Sequence, residues 1–174
     1  HTKPKAMVKW IKRILVLFVI LTASALAYLK LILPDVAKPE DLKIAATPEM
    51  VARGEYLANH VTVCIDCHSK RDWTKFSGPP IAGTEGMGGD AFTKEFGFPG
   101  SFYAKNITPE GIGNWTDGEL LRAIACGVNR DRKAFFPVMP YPYYSTMDKQ
   151  DIISIIAYIR TLKPIKNVVP ESAP

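Results

Sequence analysis

The chain has 174 residues, 47% of them hydrophobic, and carries 22 lysines and arginines against 17 acids for a net charge of +5. Its length fits one modest domain plus an additional segment, at about 100–200 residues per domain. Six of the cations lie at or before Lys30 and every acid follows it, so the remainder is close to neutral. That distribution excludes a basic nucleic-acid surface and reads instead as membrane topology.

Residues 1–13 form a basic segment with Lys3, Lys5, Lys9, Lys12 and Arg13. Residues 14–33, ILVLFVILTASALAYLKLIL, hold one charge. At 1.5 Å per residue a helix of that length spans about 30 Å, the hydrocarbon thickness of a bilayer. Lys30 is near enough to the end to reach the headgroups, and Trp10 and Tyr28 suit the interfaces. A cleavable signal peptide has the same basic start and apolar core, and Ala25-Leu26-Ala27 matches its cleavage site. Carried forward as an anchor, the segment leaves its basic end in the cytoplasm and the following domain outside the inner membrane. Pro34 is expected to end the helix, and residues 34–46 read as a tether.

Thr47-Pro48-Glu49 is a helix start, with Thr47 as N-cap and Pro48 in the first turn. Met50, Val51, Gly54, Leu57 and Ala58 share one face. A glycine inside a helix costs about 1 kcal/mol relative to alanine, so Gly54 predicts another helix crossing closely at that point.

Next comes Cys64-Ile65-Asp66-Cys67-His68. Cys-x-x-Cys-His is the pattern of covalent c-type haem attachment. Each thiol can add to one vinyl group of the porphyrin, and the adjacent histidine becomes an iron ligand. A structural zinc needs four Cys or His ligands, and Cys126, His60 and His1 supply no second pair at ligand spacing. One covalent haem c is the expected cofactor, with Cys64 and Cys67 as attachment residues and His68 as an iron ligand.

From residue 69 to 114 neither helical nor strand periodicity is evident, but aromatics are frequent, among them Trp73, Phe76, Phe92, Phe98 and Phe102. Long structureless loops are uncommon unless functional, and the porphyrin faces are the surface these side chains are expected to cover. In the turn-rich Gly78-Pro79-Pro80-Ile81-Ala82-Gly83, the Pro79 carbonyl is the candidate acceptor for the free ring N–H of His68. Asn106-Ile107-Thr108 matches a glycosylation sequon and reads as structural. Thr116 and Glu119 form a capping box for a helix that Gly127 stops, with Cys126 expected inside it as a small buried hydrophobe. Pro137-Val138-Met139-Pro140 then presents a thioether between residues that resist helix formation, which makes Met139 the candidate second iron ligand. Met87, also in an irregular stretch, is the competitor. The last helix is expected over residues 148–162, with Ile152, Ile155, Ile156 and Ile159 as its apolar stripe and Tyr158 available to meet Gly54. The domain so bounded runs over residues 47–164, and residues 165–174 form a tail that is extended or docked on a partner.

This order of elements resembles the class I cytochrome c fold, mainly α with long irregular loops and here preceded by one transmembrane helix. More narrowly, FYAKNITP, GIGNWTDGELLRAI, FPVMPYPYY and IIAYIRTL are similar to segments of the cytochrome c subunits of membrane-bound alcohol and gluconate dehydrogenases. The resemblance covers roughly Thr47 to Leu162 and implies that Met139 is an axial ligand. Those subunits typically carry three haem domains, whereas this sequence has one motif. The expectation is a membrane-anchored, non-catalytic carrier passing single electrons between redox proteins, as part of or partner to a respiratory complex, oxidase or dehydrogenase. The alternative class is a haem enzyme or sensor with an open iron position.

Overall fold

The computed structural model describes residues 3–173. Residues 1–2 and 174, at the outer ends of the expected basic segment and tail, lie outside the described residues. The chain divides into a first unit ending at Ala37 and a compact second unit starting at Lys38.

The first unit is one helix, α1 (Lys3–Leu31), followed by a short stretch without regular structure. Residues Ala6–Leu31 contain an 18-residue window of mean hydropathy 2.3 and are long and apolar enough to cross a membrane. The helix begins well before residue 14, because the lysines and arginine ahead of the apolar run are themselves good helix formers. It stops three residues before Pro34, whose ring disfavours helical backbone in the residue preceding it.

The second unit is built on two helices that cross, α2 (Pro48–His60) and α7 (Lys149–Ile159). Thr47 caps α2 by accepting from Met50 N, and Asp148 caps α7 by accepting from Gln150 N. Where they meet, a Cβ on Gly54 would lie 1.8 Å from the Ser154 carbonyl oxygen and 2.9 Å from Tyr158 Cβ. The expected close crossing is therefore present, and only glycine fits. Arg53 clasps Asp151 with two bonds of 2.9 and 2.8 Å beside it, and Asn59 donates to the Tyr158 hydroxyl. Leu57 and Ala58 from α2 meet Ile152, Ile155, Ile156 and Ile159 from α7, all buried. The α7 stripe read from the sequence is core, as are Leu57 and Ala58 of the α2 stripe, whereas Met50 and Val51 are only half-buried.

Around this pair lie short elements: α3 (Cys64–Cys67), a two-residue antiparallel ladder of β1 (Ala91–Phe92) with β2 (Phe102–Tyr103), α4 (Pro109–Ile112), α5 (Asp117–Cys126) and α6 (Tyr141–Tyr144). The capping box of α5 forms as expected, and Gly127 ends it with φ of +65°. Cys126 is exposed on the last turn, so the expectation of a buried hydrophobe is corrected: two positions past Ile124, it lies on the side of the helix away from the core-facing residues. Leu120 and Leu121, one turn earlier, are buried.

Most of the expected tether is not free chain. Leu42 and Ile44 pack against the core, Ile44 N donates to Asp117, and Lys149 pairs with Glu40 at 2.5 Å. Two apolar side chains at i and i+2 are enough to lay an extended segment on a hydrophobic surface. The compact unit accordingly starts at Lys38, and residues 34–37 are what remains of the tether outside it. The tail is likewise not free: residues 164–173 run extended over their own domain, ending in a bridge between Ala173 and Ser101.

Candidate functional site

The Cys64–Cys67 turn follows directly from the end of α2. Val61 N and Thr62 N both donate to the Leu57 carbonyl, and the buried Thr62 adds its own hydroxyl to the same oxygen at 3.0 Å. Val63 then takes φ of +48°, a left-handed conformation that a β-branched residue rarely adopts and that costs of order 1–3 kcal/mol. That reversal starts the single turn α3, closed by His68 N donating to the Cys64 carbonyl at 2.9 Å. At i and i+3 of one helical turn, the two cysteine side chains share a face.

Both thiols are free and half-buried, and Cys64 Sγ lies 3.1 Å from Thr62 Oγ1. Burial pushes both thiols up from their ordinary value, with the Thr62 hydrogen bond opposing that shift at Cys64. His68 is half-buried, and its Nδ1 sits 2.6 Å from the Lys105 carbonyl oxygen. A carbonyl only accepts, so Nδ1 carries the proton and Nε2 keeps its lone pair. Burial lowers the imidazole pKa more than the Lys105 carbonyl raises it, so the ring stays neutral, the form that binds metals. The second anchor of His68 is its backbone, whose carbonyl accepts from Gly88 N at 2.7 Å.

The acceptor for His68 is thus Lys105 and not Pro79. Pro79 is occupied elsewhere: its carbonyl accepts from Asp72 N at 2.9 Å, closing the base of a hairpin that also pairs Arg71 with Pro80. Arg71 holds the hairpin from the side, donating to Gly78 O and lying 4.6 Å over the Trp73 ring. The aromatics of the irregular stretch also divide in two. Phe102 stacks on Phe136 at 4.0 Å, with Phe98 edge-on to both, while Trp73, Phe76 and Phe96 are exposed.

Met139 is half-buried at the end of a turn, with Tyr141 N donating to its carbonyl at 2.8 Å. The chain reaching it is braced twice. A bridge between Val128 and Ala134 is secured by Arg122 donating to the Asn129 carbonyl, and Phe136 is stacked on Phe102. The chain leaving it is tied back to the cysteine turn, because Tyr144 on α6 donates to the Thr62 carbonyl at 2.7 Å. Burial pushes the Tyr144 phenol far up, so it remains a donor. Met87 also lies half-buried in a turn, its carbonyl accepting from Asn167 at 2.9 Å.

Among the described residues no three His, Cys, Asp or Glu side chains come together as a metal cage. Two thiols on one face plus a neutral imidazole fit separate attachment and ligation, which is what a haem requires and a shared zinc does not. Lys105, Thr62 and Tyr144 are the contributors that reasoning from sequence missed. Lys105 acts through its backbone, which leaves no trace in residue type. A usable signal was the neighbouring Asn-x-Thr: Asn106 is buried, and its Oδ1 accepts from Thr108 N and Oγ1, a polar knot that fixes the adjacent peptide.

No family model matches the chain. It is 33% identical over 133 residues to the alcohol dehydrogenase (quinone) cytochrome c subunit of Gluconobacter oxydans, covering 72% of this chain and 25% of that protein. It is 33% identical over 116 residues to the gluconate 2-dehydrogenase cytochrome c subunit of Pantoea cypripedii, covering 65% and 23%. It is 32% identical over 129 residues to the fructose dehydrogenase cytochrome subunit of Gluconobacter japonicus, covering 70% and 23%. The chain spans about a quarter of the length of these relatives. The resemblance implied by the FYAKNITP, GIGNWTDGELLRAI and FPVMPYPYY segments is therefore real: most of this chain is homologous to one part of the cytochrome c subunits of alcohol, gluconate and fructose dehydrogenases.

Proposed function

We propose that this chain is a monohaem c-type cytochrome of the class I fold that passes single electrons between redox proteins, with α1 as its membrane anchor. The observation that carries the reading is the Cys64–Cys67 turn with His68 Nδ1 donating to Lys105, which leaves Nε2 as a neutral lone pair beside two thiols. Cys64 and Cys67 would hold the group through thioethers, and His68 and Met139 would ligate its iron. When bound, the haem supplies a one-electron iron couple, with a potential raised by methionine ligation. The protein's part is to fix the ligands, limit water and offer a face to partners. The similarity to dehydrogenase subunits supports a dehydrogenase as a redox partner; a respiratory complex or terminal oxidase is the other partner class proposed. The basic cluster ahead of the apolar run favours a cytoplasmic N-terminus and a domain on the outer face.

Purified full-length protein is expected to retain haem through denaturing electrophoresis, as seen by peroxidase staining, and to lose it in Cys64→Ala/Cys67→Ala. Its ferric spectrum is expected to show the sulfur-to-iron charge-transfer band at the red edge, absent in Met139→Ala and unchanged in Met87→Leu. A high-spin spectrum in the wild type would overturn the carrier reading in favour of an open-site enzyme or sensor.

A further inference from the structure

We propose that residues 164–173 are a strap that holds His68 in register, acting through the two backbone groups that fix its ring and its main chain. The inference rests on the reading of His68 as an iron ligand.

The strap touches little that is apolar. Ile165 and Val169 are half-buried, and Val168 is 89% exposed. Hydrophobic burial therefore does not explain its course, whereas its hydrogen bonds follow a pattern. The Ile165 carbonyl accepts from Asn106 Nδ2 at 2.8 Å, and Ile165 N donates to Thr108 Oγ1 at 3.2 Å. The Pro170 carbonyl accepts from Lys105 Nζ at 2.9 Å. Ser172 Oγ accepts from Tyr103 N at 3.0 Å, and Ala173 exchanges two backbone bonds with Ser101 at 2.8 and 2.9 Å. The outer side of residues 101–108 is thus held at positions 101, 103, 105, 106 and 108, while the Lys105 carbonyl accepts from His68 Nδ1.

A second grip reaches His68 by another route. Asn167 Nδ2 donates to the carbonyls of Met87 and Gly88 at 2.9 and 3.3 Å. Gly88 is the residue whose N–H holds the His68 carbonyl. It also lies flat on the Lys105 segment: a Cβ there would come within 2.5 Å of Lys105 C and 2.6 Å of the Ala104 oxygen. One strap therefore secures both fixed points of His68, and Gly88 links them by direct backbone contact. The hydrogen bond made by the outer nitrogen of a ligating histidine sets ring orientation and ligand basicity. A strap that keeps Lys105 close makes the imidazole a stronger donor, which favours ferric iron and lowers the potential.

The test uses haem-loaded full-length protein in detergent and three variants. Lys105→Met removes the grip on Pro170 and leaves the Lys105 carbonyl in place, Lys105→Arg retains a donor at that point, and Asn167→Ala frees the turn at Gly88. The readouts are hydrogen exchange of the His68 ring N–H by NMR in the ferrous state, and the midpoint potential by optical titration. Lys105→Met and Asn167→Ala are expected to speed ring N–H exchange at least tenfold and to raise the potential, with covalent haem and low-spin spectrum retained and Lys105→Arg close to wild type. Wild-type exchange and potential in both Lys105→Met and Asn167→Ala would overturn the strap. A wild-type protein without histidine ligation would instead overturn the reading on which the inference rests, so the two failures are distinguishable.

Discussion

The crossing of α2 with α7 and the shell over residues 69–114 are held by different physics. In the crossing, Ile155 and Ile156 are 1% and 0% exposed, and the backbones approach until only glycine fits. In the shell, long runs of chain bury few side chains and are fixed by single hydrogen bonds to glycine turns, to Asn106 and to the strap. Burial gives a large, non-directional stabilisation, whereas a hydrogen bond contributes about 0.5–1.5 kcal/mol net but fixes an orientation. Holding the His68 imidazole at one angle, as the proposed role requires, needs the second kind beside the ring and the first kind behind it.

Mutations sharpen this contrast. Gly54→Ala places a methyl group where the Ser154 carbonyl already stands, and overpacking of this sort costs about 1–3 kcal/mol or more. Chemical denaturation is expected to show that loss across the whole compact unit, and an unchanged midpoint would mean the crossing is not the main clamp. Asn106→Ala leaves the Thr108 N–H without its acceptor and the Ile165 carbonyl without its donor, with an expected loss of about 1–3 kcal/mol. Native-state amide exchange is expected to confine most of that effect to residues 101–108 and 164–173 while the α2 and α7 amides keep their protection. The smallest effect belongs to the half-exposed rim of the crossing. Arg53 beside Asp151 holds that carboxyl below its usual range, so its contribution is present above the ordinary carboxylate pKa and fades as pH falls through the lowered value. Asp151→Asn is expected to lower stability slightly at neutral pH and not at all once the wild-type carboxyl is protonated, so the acid limb flattens by that small difference.

What could be read from the sequence follows the same division. Thr47 at the start of α2, the Thr116–Glu119 box and Gly127 depend on residues within a few positions of one another, and all stand where local rules put them. Gly54 was legible because a glycine in a good helix requires a distant cause, even though its partner had to be inferred. The acceptor for His68 was not legible. Any carbonyl can play that part, and the one that does lies 37 residues away on a segment positioned by the tail. The same holds for Leu42 and Ile44, whose i, i+2 spacing was visible while the surface they cover was not. Residues 164–173 looked featureless because an extended chain bonded through its backbone and through single polar side chains has no period.

The α2–α7 crossing also bears on the order of events as the chain is made. Arg53 and Asp151, which clasp it, are 98 positions apart. The Cys64–Cys67 turn emerges soon after α2, yet the core behind it cannot close until α7 has been synthesised, and bringing such distant segments together is entropically slow. Throughout that interval both thiols lie on a chain whose core has not closed. The thioether attachment proposed for Cys64 and Cys67 would therefore meet least steric obstacle before α7 docks.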